Sequence, residues 1–153
     1  MDMPDGKTLN SGQVGCALSH FLLWNKMIGK GGIVIEDDVA ILPHFWQKYD
    51  DLMEALPQNW DLVLLAWPEL KGRRMSKKYM RPNPLGLNWG TYCYLVSPHF
   101  AEVMVEHFTL NVPLDQYLRD TFYYNDSYKV FISRKLFVWH TEMFGSDTHI
   151  TSY

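Results

Sequence analysis

The run Gly32-Ile33-Val34-Ile35-Glu36-Asp37-Asp38-Val39 constrains the fold more than any other stretch of the chain. Apolar, β-favouring residues lead without a break into three consecutive carboxylates. Strands that bury both faces read as continuous apolar runs, and such strands belong to the interior of α/β sheets. Open α/β sheets bind their ligands outside the carboxyl ends of the strands. Three adjacent acids repel one another unless a cation or a hydrogen-bonding ligand offsets the charge. Oxygen-only donors favour a hard divalent ion, Mg²⁺ or Mn²⁺, which commonly bridges to substrate phosphates. The plainer alternative is a solvated acidic turn. The apolar strand ahead of the acids weighs toward metal and phosphate.

At 153 residues the chain is expected to be one domain, 1–153, long enough for a sizeable core. A net charge of −3 with no long basic block argues against a nucleic-acid partner, whose binding is dominated by phosphate neutralisation. Aromatics make up 15% of the chain, which implies either an aromatic core or ring faces lining a cleft where they stack on a sugar or base. No apolar run approaches the ~20 residues needed to span a bilayer. The acidic, polar start Met1-Asp2-Met3-Pro4-Asp5-Gly6 is unlike a signal peptide. A cytoplasmic location, in part peripheral to a membrane, is expected. Cys16 and Cys93 form no metal-spacing motif, and their apolar surroundings predict buried free thiols in a reducing compartment.

Apolar positions at helical spacing predict a helix over 12–30, capped by Ser11 and ended by Gly29, Gly31 and Gly32. Strand 33–36 and the acids follow. Pro43 starts a second helix, and 61–66 reads as a second buried strand. Residues 67–88 hold Lys71, Arg73, Arg74, Lys77, Lys78 and Arg81 among prolines. They read as a long basic loop, either a solvated excursion or a lid for an anionic ligand. A third strand at 91–97, a helix from Ser97-Pro98 to about Phe108, a short helix from Pro113-Leu114-Asp115, and strands at 128–133 and 136–139 complete the order. This alternation predicts an α/β sandwich of mixed pairing. Strands 33–36 and 61–66 are expected side by side and parallel, with helix 12–30 on one face.

Several motifs, taken together in order, resemble glycosyltransferase family 25, which includes bacterial lipooligosaccharide galactosyltransferases and procollagen galactosyltransferases. Gly12-Gln13-Val14-Gly15-Cys16-Ala17-Leu18-Ser19-His20 is similar to the family's "GEIGCxLSH" segment, with Trp24 at an aromatic position of that helix. Glu36-Asp37-Asp38 resembles its "LEDD", and Asp61-Leu62-Val63-Leu64-Leu65 its "DWDLIYL" strand. The segment from Gly90 to Ser97, Pro113-Leu114-Asp115-Gln116-Tyr117-Leu118 and Ser146-Asp147-Thr148 resemble further elements. The family's first unit, a "VINLDR" strand with its helix, is not matched. The resemblance therefore implies a domain incomplete at its N-terminus, with an open sheet edge, self-association through that edge, and weak activity on its own.

The resemblance implies a GT-A-like α/β sandwich with a mixed, mostly parallel central sheet. It implies inverting, metal-assisted transfer of a sugar, galactose first, from a UDP-sugar donor to a saccharide or hydroxylysine acceptor, in lipopolysaccharide biosynthesis or collagen glycosylation. Mn²⁺, or Mg²⁺, would neutralise the donor diphosphate. In extended backbone Glu36 and Asp38 project to one face and Asp37 to the other, so Asp38 and Glu36 are the expected metal ligands. His140, at the end of an apolar strand, is the expected third, with Asp147 the runner-up and an ordinary strand-end histidine as the alternative reading of His140. Asp115 is the candidate general base, a role it could combine with helix capping. Ser19, His20, Asp37 and Tyr92 are assigned to the donor, and Trp89 and Asp147 to the acceptor. Core packing explains His20, Trp89 and Tyr92 as well. A non-catalytic carbohydrate- or partner-binding remnant of the same fold is the competing class. A phosphatase or nuclease is a third reading, weakened by the lack of a second cluster of metal ligands.

Overall fold

The structure is a computed structural model, and it describes residues 8–68, 72–84 and 90–140. Helix α1 (Ser11–Met27) opens with a capping box. Asn10 Oδ1 accepts from Gln13 N at 2.9 Å, and Gln13 Oε1 accepts from Asn10 N at 3.0 Å. The cap is thus Asn10, one residue ahead of the expected Ser11. Gly31, at φ 69, turns the chain out of the helix where a Cβ would sit 2.7 Å from the Val96 carbonyl oxygen. The elements that follow are β1 (Gly32–Ile35), β2 (Ala40–Ile41), α2 (Phe45–Ala55), β3 (Leu62–Leu64), β4 (Gly72–Arg74), β5 (Tyr79–Pro82), β6 (Cys93–Val96), α3 (Phe100–Glu106), α4 (Leu114–Leu118), β7 (Val130–Ser133) and β8 (Val138–Trp139). A π-helical turn, Arg119–Tyr123, continues α4.

Six strands form one sheet in the order β1-β6-β3-β7-β5-β4, and β2 and β8 form a separate ribbon. The α/β class and mixed pairing agree with expectation, and the layout is compatible with a GT-A-like fold. The balance of directions differs: β3 with β7 is the one parallel pairing among the described strands. Strands β1 and β3 run in the same direction but are not neighbours, because β6 lies between them, antiparallel to both. β1 is therefore an edge strand rather than a central one, and Ile35 is 39% exposed.

Alternation along the strands divides the core into two faces. Val34, Leu62, Leu64, Tyr94, Val96, Val130 and Ile132 pack with Trp24 of α1, Phe100 and Met104 of α3, and Leu118 of α4. Val63, Leu65, Cys93, Leu95 and Phe131 pack with Phe45, Leu52 and Leu56 around α2. Helices on both faces explain why these strands show unbroken apolar runs. Most aromatics serve this core: Trp24, Tyr94, Phe100, Phe122, Tyr123 and Phe137 are fully buried.

The described residues of the basic segment do not form a lid over the acids. Its described part is the hairpin β4–β5, joined to the sheet through β5 and β7. It occupies the edge opposite β1, five strand spacings or roughly 24 Å away. Arg81 is engaged there by Asp126 at 3.1 Å and by the Tyr128 carbonyl at 3.1 Å. Lys78 reaches Asp51 at 3.4 Å.

Candidate active site

The carboxyl end of β1 opens on a cleft of about 700 Å³ lined by residues from four elements and their loops. Gln13 and Cys16 come from α1, Glu36 and Asp38 from the end of β1, Gly90, Thr91 and Tyr92 from the approach to β6, and Leu114 and Asp115 from α4. Strand register places them. Ile35 pairs with Cys93, and the next step is the hydrogen bond from Glu36 N to Tyr92 O at 3.0 Å. Thr91 thereby lies beside Glu36, and its hydroxyl donates to Glu36 Oε1. Asp37 and Asp38 form a turn, not the extended backbone expected. Even so, Glu36 and Asp38 share the large cleft, while Asp37 lines only a smaller one.

The β2–β8 ribbon brings His140 to the acids. Ala40 pairs with Trp139, so the residue after Trp139 meets the residues before Ala40. His140 Nε2 lies 3.1 Å from Asp38 Oδ2, and the His140 ring stacks on Tyr92 at 4.9 Å and 25°. Asp115 is fixed from two sides, accepting from Gln116 N at 2.9 Å and from Gly90 N at 3.3 Å. The N-cap of α4 is Pro113, so Asp115 sits inside the first turn rather than at the cap.

A smaller cleft of about 400 Å³, on the other side of Glu36, holds Ser19, His20 and Asp37. Ser19 Oγ donates back to the Gly15 carbonyl at 2.8 Å. His20 is buried, with Nδ1 2.6 Å from the Tyr94 hydroxyl, whose oxygen also accepts from Trp24 Nε1 at 2.9 Å. His20 Nε2 faces Glu36 Oε1 at 3.7 Å. His20 is thus a satisfied core histidine that also borders a cleft. Trp89 and Asp147 lie outside the described residues.

Burial shapes the protonation of this corner. It holds the His20 pKa down, from 6.5 to about 4. It raises the Glu36 carboxyl, against the lowering effect of the Thr91 hydrogen bond, with Asp38 adding to the rise. Between pH 6.5 and about 4 the unfolded chain binds a proton at His20 that the fold refuses, so this contribution to stability falls as pH drops through that window. Glu36 acts in the opposite sense, contributing stability at low pH that is lost as pH rises through its raised folded value. Unfolding midpoints followed by circular dichroism with chelator present should fall from pH 6.5 to 4, and His20→Gln should flatten that slope. An unchanged slope in the variant would place the titration elsewhere.

Cysteine placement corrects an expectation. Both thiols are free, and Cys93 is buried with its pKa pushed up to about 12 by burial, but Cys16 is exposed. It faces the clefts, its thiol raised by partial burial and then by Glu36, Asp115 and Asp38. Thr91, Gly90 and Cys16 are among the cleft residues that motif reading left unassigned. The signal for Cys16 was its place four residues before His20, one helical turn away.

Gly90 has φ 86, and a Cβ there would overlap the Tyr92 ring. Gly90→Ala should therefore displace Tyr92, the ring that stacks on His140, and loosen the Gly90 hydrogen bond to Asp115. Expected is a loss of about 1–3 kcal/mol in unfolding free energy, the usual scale of such backbone strain, measured by urea titration. An unchanged midpoint would show that the turn accepts a side chain.

A mixed α/β sheet that gathers carboxylates, a histidine and a stacking ring at strand ends is the layout of a ligand-binding α/β enzyme domain. The family model of Glycosyltransferase family 25 (LPS biosynthesis protein) matches residues 2–118, and the chain belongs to that family. It is 31% identical over 140 residues to the probable inactive glycosyltransferase 25 family member 3 of Rattus norvegicus, covering 84% of this chain and 24% of the rat protein. It is 27% identical over 124 residues to procollagen galactosyltransferase 1 of Danio rerio, covering 74% of this chain and 20% of that protein. A third match is the procollagen lysyl hydroxylase and glycosyltransferase of Acanthamoeba polyphaga mimivirus, 34% identical over 95 residues, 54% of this chain and 11% of the viral protein. The chain thus spans about a quarter or less of the length of these relatives. No helix among the described residues is long and apolar enough to cross a membrane.

Proposed function

We propose that this domain transfers a sugar, galactose first, from a UDP-sugar donor to a hydroxyl acceptor with inversion; two relatives are named procollagen galactosyltransferases. The observation that carries this is the convergence of Asp38 with its His140 partner, Glu36 and Asp115 on one cleft large enough for a nucleotide sugar.

Asp38 and His140 offer an oxygen and a nitrogen 3.1 Å apart, with Asp38 60% exposed, a pair suited to a divalent ion. Glu36 is on the same wall but is engaged by Thr91, so it would join such an ion only by releasing that hydroxyl. Mn²⁺ or Mg²⁺ bound here would supply Lewis-acid stabilisation of the departing diphosphate. Asp115 takes the acceptor hydroxyl proton as that oxygen attacks the anomeric carbon. The backbone donors at Gly90 and Gln116 hold its carboxylate in position for this. Tyr92 lines the cleft and stacks on His140, which packs that ring beside Asp38. A saccharide or a hydroxylysine of a collagen-like chain is the acceptor.

The second reading, a domain that binds such ligands without transferring sugar, is favoured by one observation: relatives from rat, mouse, cattle and human are named inactive or probable inactive members. The discriminating experiment is UDP-galactose turnover by the purified chain with Mn²⁺, against lipooligosaccharide and hydroxylysine-peptide acceptors. Transfer supports the first reading. Metal-dependent UDP binding without transfer supports the second.

A further inference from the structure

We propose that Cys16, His20 and Glu36 form a second cation site, selective for a borderline-soft divalent ion, with Zn²⁺ the ion their donors fit. Among the described residues, this is the one trio of His, Cys, Asp or Glu whose donor atoms all lie within 4.8 Å of one another. The Glu36–Asp38–His140 set is not drawn together to that degree. The site does not rest on the transfer reading. It needs only the corner where α1 meets the end of β1.

Sequence spacing builds the site. Cys16 and His20 are four apart on α1, so they project from one side of the helix. β1 ends with Glu36 opposite that side, and His20 Nε2 is 3.7 Å from Glu36 Oε1. Tetrahedral zinc with nitrogen and oxygen bonds of roughly 2.0–2.1 Å needs those donors about 3.3–3.4 Å apart, so the imidazole and the carboxylate stand within about 0.4 Å of that spacing, with Glu36 releasing the Thr91 hydroxyl as it turns to the ion. A rotation of the exposed Cys16 side chain closes the rest.

Second-sphere support is also in place. Ligating histidines usually engage an oxygen through their other ring nitrogen, which fixes the ring. His20 Nδ1 is on the Tyr94 hydroxyl at 2.6 Å, and that oxygen is held by Trp24 Nε1 at 2.9 Å. The ring therefore presents Nε2, and only Nε2, to the trio. Cys16 and Glu36 line both the 700 Å³ and the 400 Å³ clefts, which leaves a fourth coordination position open to water. Thiolate, imidazole and carboxylate with one open position is a zinc donor set, whereas Mg²⁺ and Mn²⁺ prefer oxygen. Binding forms the sulfur–metal bond and releases the thiol proton to solvent.

Co²⁺ is the probe. Titrated into the folded, chelator-treated 153-residue chain, it should develop the visible bands of a tetrahedral ion together with a thiolate-to-cobalt charge-transfer band. Stoichiometric Zn²⁺ should bleach both, and a large excess of Mn²⁺ should not. Cys16→Ser, at an exposed position, should keep the fold and lose the charge-transfer band, while Cys93→Ser should keep the band. Tyr94→Phe should weaken Co²⁺ by ~10–100-fold, the usual effect of removing a second-sphere partner. A folded wild-type chain with no charge-transfer band, or a band that survives in Cys16→Ser, overturns the proposal.

Discussion

Asp115→Asn should retain UDP-sugar binding and lose transfer by ~10²–10⁴-fold, the range a positioned general base supplies. The substitution is nearly isosteric. The amide oxygen can keep the bond from Gln116 N, now 2.9 Å to Oδ1, while the amide NH2 takes the place of Oδ2 and the longer 3.3 Å bond from Gly90 N is lost. The loop from Gly90 to Tyr92 is also held by the bond from Glu36 N to Tyr92 O at 3.0 Å, so it should stay in place, and with it the Thr91 hydroxyl on Glu36. What disappears is a basic oxygen able to take the acceptor proton. The measurement is a split: donor affinity by calorimetry, and turnover by release of UDP in the presence of acceptor. Unchanged affinity with collapsed turnover assigns Asp115 to the proton. Equal loss of both would mean the carboxylate only shapes the pocket. Near-normal turnover would return it to anchoring the first turn of α4.

The parts of this molecule that could be read from the chain are those set by neighbours in sequence. The apolar run before Glu36 reads as a strand because β-favouring residues follow one another without a break, and strand β1 is there, although at the sheet edge only its Val34 is buried. The helices at residues 11–27 and 45–55 carry their own signals, a capping side chain and periodic apolar positions. Sheet order carries no such local signal. Nothing in residues 33–36 or 61–66 announces that a strand some thirty residues later, Cys93–Val96, will lie between them. The hairpin Gly72–Pro82 was hidden for a related reason. Its strands are short, charged and proline-flanked, and they are held by pairing with β7 rather than by strong β propensity. At the site, the acids were legible because charge at the end of an apolar strand is unusual. The Asp38–His140 pair was plausible only as proximity: the strand at 136–139 was expected, but its two-residue partner Ala40–Ile41 is too short to detect. Cys16 was misjudged because α1 is apolar nearly all round. Leu18, Leu22 and Leu23 are 43%, 61% and 39% exposed, so composition does not reveal which side faces the core.

Asp38→Asn should abolish metal-dependent donor binding while leaving the fold intact. Asp38 is exposed and contributes nothing to either apolar core, so removing its charge should cost the folded state little. Its functional weight is greater because of where the ribbon places it. Of the acids at the end of β1, Asp38 is the one that meets His140, at 3.1 Å, and it does so at the mouth of the larger cleft. Glu36 is deeper, engaged by Thr91 and facing His20, and so is not free to compensate without rearranging. An ion left with His140 and water would bind far more weakly than one with an anionic oxygen, because hard divalent ions depend on carboxylate charge. The reading is calorimetric: UDP titrated into wild type and variant, with and without Mn²⁺. In wild type the ion should strengthen UDP binding by ~10-fold or more, about 1.4 kcal/mol. In Asp38→Asn that increment should vanish, with the unfolding midpoint moving by no more than about 0.5 kcal/mol in equivalent stability, as for an ordinary surface substitution. UDP binding of equal strength with and without metal in the wild type would remove the ion from the donor site altogether. A variant that keeps the increment would move the ion's anchor from Asp38 to Glu36.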